Sequence, residues 1–243
     1  MVNNKGTLMK IVEVNSLADI VVEFQDKYHL RRKTTYSNFK RGQVKNPYDT
    51  TVYGVGMVGE GVYKTWERGH ITTEYSIWAD MLRRCYSEKI KDKQHAYFGI
   101  VTVCDKWKIY QNFAEWYIDN KYSINERLHL DKDILCPGSK LYSPNTCLLV
   151  PQRINMLLLN KPNKRGLPNG IRKVKKGYMA QYDQFELGIY NTVEEAYSYY
   201  AKEKEKKIRE VAKEYKNIIP QKVHDALLGY RANITYDQNY GNS

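Results

Sequence analysis

Four basic side chains are crowded into five residues in the C-terminal third of this chain. They are Arg172, Lys173, Lys175 and Lys176. Cations at this density are typical of a surface that holds phosphate groups, because each one replaces a counterion of the polyanion. The sequence therefore predicts that this segment contacts the backbone of a nucleic acid.

Three short β-like stretches and one helix must position these side chains. Turns separate the stretches between residues 169 and 190. Thr192 then stands three residues before Glu195, which is the capping-box pattern that starts a helix. The pattern predicts a three-stranded sheet with a helix across one face, and the other face is left for a groove of DNA.

Alternation along the strands divides the side chains of this sheet between its two faces. The face away from the helix is predicted to carry Arg172, Val174, Met179, Gln181, Asp183, Gln184 and Glu186. The face towards the helix is predicted to carry Ile171, Ala180, Tyr182, Leu187 and Ile189. The predicted base contacts are Arg172, Gln181 and Gln184. The predicted backbone contacts are Lys173, Lys175, Lys176 and Tyr178.

A second basic run, Arg31-Arg32-Lys33, lies in the N-terminal part of the chain. Residues 8–34 alternate as three strands with short polar joints, and a turn is predicted around residues 38–42. The basic run falls on the third strand, where its three side chains are candidates for phosphate contacts. A solvated strand edge that discourages pairing with another chain explains the run equally well.

The middle region predicts helices over residues 73–85 and 109–122, then a strand over 128–135. A second strand and a helix over 152–160 follow, so a helix packed on a two-stranded ribbon is expected at 128–160. Upstream, Gly54, Gly56 and Gly59 match the spacing of the dinucleotide-binding fingerprint. That fingerprint needs a helix opening at its third glycine, and none is predicted here, so the glycines indicate bends or a tight passage of backbone.

The middle region resembles the HNH-type proteins of phages and mobile elements. The motifs are Trp78-x-x-Met81-x-x-Arg84-Cys85-Tyr86, Gly99-Ile-x-x-Val103-Cys104-x-x-Trp107, Leu130-Asp131-Lys132-Asp133-Ile134 and Asn155. The C-terminal region resembles the apetala/ethylene-response-factor type of DNA-binding domain, which often follows an HNH module. Its motifs are Gly170-Ile171-Arg172, Tyr178-x-Ala180, Leu187-Gly188-x-Tyr190-x-Thr192 and Glu194-Glu195-Ala196.

The HNH resemblance implies a metal site with an altered base. In that family a β-ribbon and a helix grip one divalent metal, and a histidine deprotonates water. The resemblance makes Asp131 and Asn155 the candidate ligands of Mg²⁺ or Mn²⁺, with Asp131 and Lys132 as catalytic candidates. Lys132 stands where the histidine is expected, and an ordinary lysine is charged and useless as a base. His129 is the candidate substitute, on the face of the strand that carries Asp131 and Asp133.

Composition bounds the remaining possibilities. The formal charge is +12, and the basic excess is spread along the chain rather than held in one tail, which suits a protein lying along a polyanion. No signal peptide or membrane span is predicted, so we expect residence in the cytoplasm of a host bacterium. The four cysteines lack paired spacing, which favours buried structural thiols over a zinc site.

These patterns predict an α+β protein with a small all-β domain at 1–66, an HNH-like domain at 67–163, an apetala-type domain at 164–232 and a mobile tail at 233–243. The predicted function is binding of double-stranded DNA by a protein of phage or mobile-element type with a degenerate HNH-like site. One alternative is a metal-dependent nicking or homing-type endonuclease. A second alternative is a protein-interaction inhibitor of host or rival machinery. The sequence leaves the oligomeric state open.

Overall fold

A computed structural model describes residues 1–93 and 97–241 of the 243-residue chain. Contacts divide the chain into two compact units. The first comprises Met1–Lys91 and Asp105–Glu115, and the second comprises Asp92–Cys104 and Trp116–Ser243. Helices and small sheets occur together along the chain, which confirms the predicted α+β class. The predicted domain boundaries at residues 66, 163 and 232 stay predictions.

An antiparallel sheet opens the first unit. Its strands are β1 (Met9–Ser16), β2 (Asp19–Phe24) and β3 (Arg31–Thr34), which confirms the three strands predicted over 8–34. One face buries a core made by Met9, Ile20, Val22, Phe24 and Val44. A short helix, α1 (Tyr36–Lys40), follows where a turn was predicted around residues 38–42. The Thr35 hydroxyl stabilises this helix by accepting from the backbone N–H of Asn38 at 3.1 Å.

A two-stranded ribbon and two helices complete the first unit. The ribbon pairs β4 (Trp66–Glu67) with β5 (His70–Ile71), and α2 (Thr73–Tyr86) follows. The predicted apolar stripe of α2 is buried at Trp78, Met81, Leu82 and Cys85, because these positions recur every three or four residues. Helix α3 (Tyr110–Asn120) begins in this unit and ends in the second. The indole N–H of Trp78 donates to the backbone oxygen of Trp107 at 2.7 Å.

The glycines at residues 54–59 serve bends and a tight passage of backbone, as predicted: Gly54 and Gly59 each hold a φ of +74°, and Gly56 is closely packed. No helix opens at Gly59, and the next helix to begin is α2. A Cβ added to Gly56 would lie 2.4 Å from Cδ1 of Leu82 and 3.0 Å from the Trp78 ring. Both side chains are fully buried, so neither can withdraw. The spacing that matches a cofactor motif therefore reflects packing against α2.

The substitution Gly56→Ala is expected to lower the free energy of unfolding by about 1–3 kcal/mol, because the new methyl overpacks this contact. Urea denaturation followed by circular dichroism measures the change. Gly229→Ala is the matched control, because nothing lies within 4 Å of its added Cβ, and its stability should be unchanged or higher. A Gly56→Ala protein as stable as wild type would contradict the packing role.

The second unit contains the predicted ribbon and helix. Strands β7 (Leu128–Asp131) and β9 (Leu148–Pro151) pair antiparallel, and α4 (Gln152–Leu158) follows directly, which confirms that prediction. The strand predicted over 128–135 is too long, since β7 ends at Asp131 in a turn. Two shorter strands, β6 (Thr102–Val103) and β8 (Leu141–Tyr142), pair in parallel.

The C-terminal sheet consists of β10 (Ile171–Val174), β11 (Gly177–Tyr182) and β12 (Phe185–Tyr190), all antiparallel. Helix α5 (Val193–Glu214) crosses one face of it, as predicted. The capping box is present: the Thr192 hydroxyl accepts from the Glu195 backbone N–H at 3.1 Å. The Glu195 carboxylate accepts at 3.2 Å from Asn191 N–H, one residue earlier than the reciprocal pattern requires.

Helix α5 belongs to two hydrophobic cores. Its first half packs Ala196, Tyr197, Tyr200 and Ala201 against the C-terminal sheet. Its second half joins Ile208, Val211 and Ala212 to the core of the ribbon, α4 and α6 (Gln221–Gly229). This 22-residue helix therefore connects the C-terminal sheet to the β7–β9 ribbon within the second unit.

The tail that was predicted to be mobile is hydrogen-bonded to the polar segment before the sheet. Asp237 Oδ2 accepts from the backbone N–H of Asn169 at 2.9 Å, and Asn239 Oδ1 accepts from that of Asn163 at 2.8 Å. These bonds anchor residues 233–241 of the tail. Its last two residues, 242–243, lie outside the described residues.

Candidate nucleic-acid interface

The C-terminal sheet presents an uncovered face on the side away from α5, which we call the outer face. Cross-strand pairing brings Arg172 opposite Met179 and Met179 opposite Ile189, and Gln181 opposite Glu186. The opposite side of the sheet holds Ile171 and Ala180, which are buried under α5. The predicted outward position of Arg172, Met179, Gln181 and Glu186 therefore agrees with the register of the strands.

A bulge in β12 changes one of the predicted positions. The register shifts between Ala180 and Gln181, so that Gly188 faces Ala180 while Glu186 faces Gln181. Leu187 is the extra residue and packs partly against the core. The shift turns Ile189 outward with 46% of its surface exposed, whereas simple alternation placed it towards the helix. Gly188 permits the bulge because it holds a φ of +136°.

The single arginine of the outer face is paired within the sheet. An Arg172 nitrogen lies 2.6 Å from Oε1 of Glu186, and its side chain also contacts the Met179 sulfur at 2.9 Å. The two side chains remain about half exposed. The pair offers both donors and an acceptor to a ligand, while its net charge is zero. Arg172 is therefore suited to a base edge and poorly suited to holding a phosphate.

The lysines of the sheet divide into two kinds. Lys173 lies in β10 on the helix side, with its ammonium 5.7 Å from the centre of the half-buried Tyr178 ring. Lys173 and Tyr178 therefore lie away from the outer face. Lys175 and Lys176 form the two-residue turn between β10 and β11, and both are exposed. Within residues 1–93 and 97–241 neither of these two lysines has a carboxylate partner.

The two predicted glutamine contacts, Gln181 and Gln184, lie near the other end of the sheet. Gln181 is half-buried on β11, and its amide donates to the Asp183 backbone oxygen at 3.4 Å. Gln184 lies in the turn between β11 and β12 and is exposed. Asp183, in the same turn, holds a positive φ of 56°, which aspartate tolerates better than most residues.

The basic run on β3 is largely neutralised. The Arg31 Nε lies 2.8 Å from a Glu23 oxygen, and an Arg32 nitrogen lies 2.7 Å from a Glu60 oxygen. Lys33 is exposed and, in the described part of the chain, has no ion pair. These bonds stabilise a sheet edge and leave only Lys33 with an unpaired charge for phosphate.

Asp131, the candidate metal ligand, closes the turn that ends β7. Its Oδ1 accepts from the backbone N–H groups of both Asp133 and Ile134, each at 2.9 Å. The side chain is 8% exposed. Burial and the neighbouring Asp133 carboxylate raise the pKa of Asp131 to about 6, although the two N–H bonds oppose this. Asp131 therefore acts as a structural cap of the turn.

Lys132 and His129 do not lie on one continuous strand, as the sequence predicted. Lys132 lies in the turn after β7, buried, with its ammonium 2.7 Å from Asp133 and 5.6 Å from the centre of the Tyr97 ring. His129 lies on β7 opposite Val150 and is half-buried. Because the strand ends at Asp131, the predicted alternation of faces through Lys132 and Asp133 does not hold.

These residues do not fit a divalent-metal site. The candidate carboxylate uses one oxygen for two N–H bonds, and a lysine ammonium lies at the next residue. The described residues contain no group of three His, Cys, Asp or Glu side chains arranged around a common point. Asn155 is half-buried on α4. Cys85 and Cys147 are buried as predicted, whereas Cys136 is exposed and Cys104 is half-buried.

Comparison with known proteins leaves the resemblance as a prediction. No protein-family model, no curated protein and no solved structure matches this chain. None of the helices in the described residues is long and apolar enough to cross a membrane.

The sequence did not predict the bulge in β12 or the Arg172–Glu186 pair. Only the glycine at residue 188 indicated a bulge.

Proposed function

We propose that this protein binds duplex DNA through the C-terminal sheet and the turn between β10 and β11. The single observation that supports the proposal is the arrangement of this sheet. One face is buried under α5, the other is uncovered, and the exposed Lys175 and Lys176 project from the turn at its end without a carboxylate partner in the described chain. The overall charge of +12 favours the same partner.

The turn between β10 and β11 and the outer face of the sheet contact different parts of the DNA. Lys175 and Lys176 neutralise phosphates of the DNA backbone and set the position of the sheet. The outer face, placed against a groove, offers Arg172 as a donor and Glu186 as an acceptor. Met179 and Ile189 supply apolar contacts of the kind that recognise a thymine methyl group. We expect the neutral Arg172–Glu186 pair to make sequence preference weak.

We assign no nuclease step to the β7–β9 ribbon. The Asp131 carboxylate caps a turn through Oδ1, and the Lys132 ammonium is held by Asp133. The protein would then be a DNA-binding member of the phage or mobile-element type, built on an HNH-like scaffold with a degenerate site. The alternatives are a nicking endonuclease and an inhibitor that binds another protein.

Titration of labelled duplex DNA with the protein at several salt concentrations tests this function. We expect binding whose logarithmic affinity falls with the logarithm of salt with a slope of about −2 or steeper, since at least two phosphates are neutralised. Supercoiled plasmid incubated with Mg²⁺ or Mn²⁺ should remain intact. Nicking that Asp131→Ala abolishes would establish the endonuclease instead, with Lys132→Ala as its companion variant. Absence of binding to any duplex would favour the protein partner.

A further inference from the structure

The ribbon β4–β5 carries large apolar side chains that take no part in a core. Trp66 and Ile71 are cross-strand partners, and 57% and 54% of their surfaces are exposed. A cross-strand pair of this kind contributes at most about 1 kcal/mol to the stability of a sheet, which is little for two large apolar side chains that are this exposed.

The ribbon is short but is anchored at its base. Arg68 and Gly69 connect its strands with φ values of 49° and 82°, the left-handed pair that matches the twist of a tight hairpin. Its base is fastened from outside the ribbon. The Tyr110 hydroxyl donates to the Lys64 backbone oxygen at 2.8 Å, and the Thr72 hydroxyl donates to the same oxygen at 2.9 Å. A two-stranded ribbon alone is marginal, so this anchor is what holds Trp66 in place.

A second anchor lies just before the ribbon. The Gln111 side chain donates to the Tyr63 backbone oxygen at 2.9 Å and accepts from the Tyr63 N–H at 3.0 Å. Tyr110 is fully buried, and burial raises the pKa of its hydroxyl to about 12, so it remains a donor at any physiological pH. Helix α3 therefore clamps the chain entering the ribbon at two successive residues.

The charges of the ribbon suit a polyanion. Arg68 lies at its tip, exposed, and forms no ion pair with any other described residue. The one acidic side chain, Glu67, is paired with Lys64 at 3.3 Å. A two-stranded ribbon is narrow enough to enter a groove of DNA, and an apolar side chain beside a cation is the combination that unstacks a base step.

We infer that the β4–β5 ribbon is a wedge that inserts Trp66 and Ile71 into duplex DNA at a base step, with Arg68 on the adjacent phosphates. This inference rests on the proposed function and adds to it a second contact, one that deforms the DNA. The wedge has no preference for a particular base, because every base step presents an apolar stack to an indole ring.

Tryptophan fluorescence reads this contact directly. Of the four tryptophans, Trp66 is 57% exposed, Trp78 and Trp107 are fully buried, and Trp116 is half-buried, so Trp66→Phe separates the response of Trp66 from that of Trp116. Stacking on a base quenches indole emission, so duplex DNA should quench the wild-type protein and leave Trp66→Phe nearly unchanged. Trp66→Ala with Ile71→Ala should lose about tenfold in affinity, and labelled DNA ends should no longer approach each other on binding. Val62→Ala, an exposed control outside the paired strands, should bind and bend DNA like wild type.

The outcomes separate this inference from the proposed function. Duplex binding that depends on Lys175 and Lys176 but leaves the wild-type emission unchanged overturns the wedge alone. No duplex binding at all overturns both. Because Trp66→Phe keeps an aromatic ring on an exposed hairpin, its melting temperature should equal that of wild type, and the wild-type quenching measurement needs no variant to fold.

Discussion

Replacing Lys175 and Lys176 together by glutamate is expected to weaken binding to duplex DNA about 100-fold, which is about 2.7 kcal/mol. Both lysines are exposed in a two-residue turn, so the change removes two phosphate contacts and adds two repulsive charges. The salt dependence should flatten as well, by about one unit of slope for each lost contact. Titration of the same duplex at several salt concentrations measures both effects.

Two control variants sharpen this prediction. Lys213 and Lys216, beyond the sheet at the far end of α5, are exposed and should tolerate the same double reversal with only a small loss of affinity. Glu186→Gln should tighten binding a few-fold, because it removes a negative charge from the outer face and frees Arg172. Equal losses for the two lysine pairs would mean that the overall charge binds DNA, and not this turn.

Replacing Asp131 by asparagine is expected to change how folding stability depends on pH. The folded pKa of Asp131 is raised from 3.8 to about 6 by burial, so the folded state holds a proton that the unfolded state releases. The stability that protonated Asp131 contributes to the wild-type protein is therefore fully present below about pH 4. It is lost as pH rises to about 6. Over the whole interval between the two pKa values the free energy of unfolding falls by about 3 kcal/mol.

Asparagine keeps an oxygen that can accept from Asp133 and Ile134 but does not ionise. The difference in unfolding free energy, Asp131→Asn minus wild type, should thus increase by about 2 kcal/mol between pH 4 and pH 6.5. Urea denaturation at each pH measures it. A difference that stays constant across this range would contradict the buried, ionising carboxyl.

Asp105→Asn provides a comparison of opposite sign. The hydrogen bond from Lys108 lowers the pKa of the exposed Asp105 carboxyl, so ionised Asp105 favours the folded state. The Asp105→Asn protein should be slightly less stable than wild type at neutral pH and as stable as wild type in strong acid. Of the two variants, only Asp131→Asn should become more stable relative to wild type as pH rises.

Local patterns in the sequence determined most of the elements. The stripe of Trp78, Met81 and Leu82 predicted α2, and Thr192 with Glu195 predicted the start of α5. Apolar runs before and after a Pro-Gly turn predicted the ribbon β7–β9 with α4 behind it. These features depend on residues close together in the chain, and helical or strand periodicity records them directly.

The tertiary structure decided which of the candidate groups are available. A bulge in β12 sets Glu186 where it pairs with Arg172, and the end of β7 turns Asp131 into a buried cap. Neither outcome can be read from spacing, because each depends on a register or a turn that brings distant groups together. The sequence by itself determined a sheet with lysines in its turn. The fold decided that Arg172 pairs with Glu186 and that Lys173 lies by the Tyr178 ring on the helix side, whereas Lys175 and Lys176 lie in the exposed turn, because strand register sets the neighbours of each side chain.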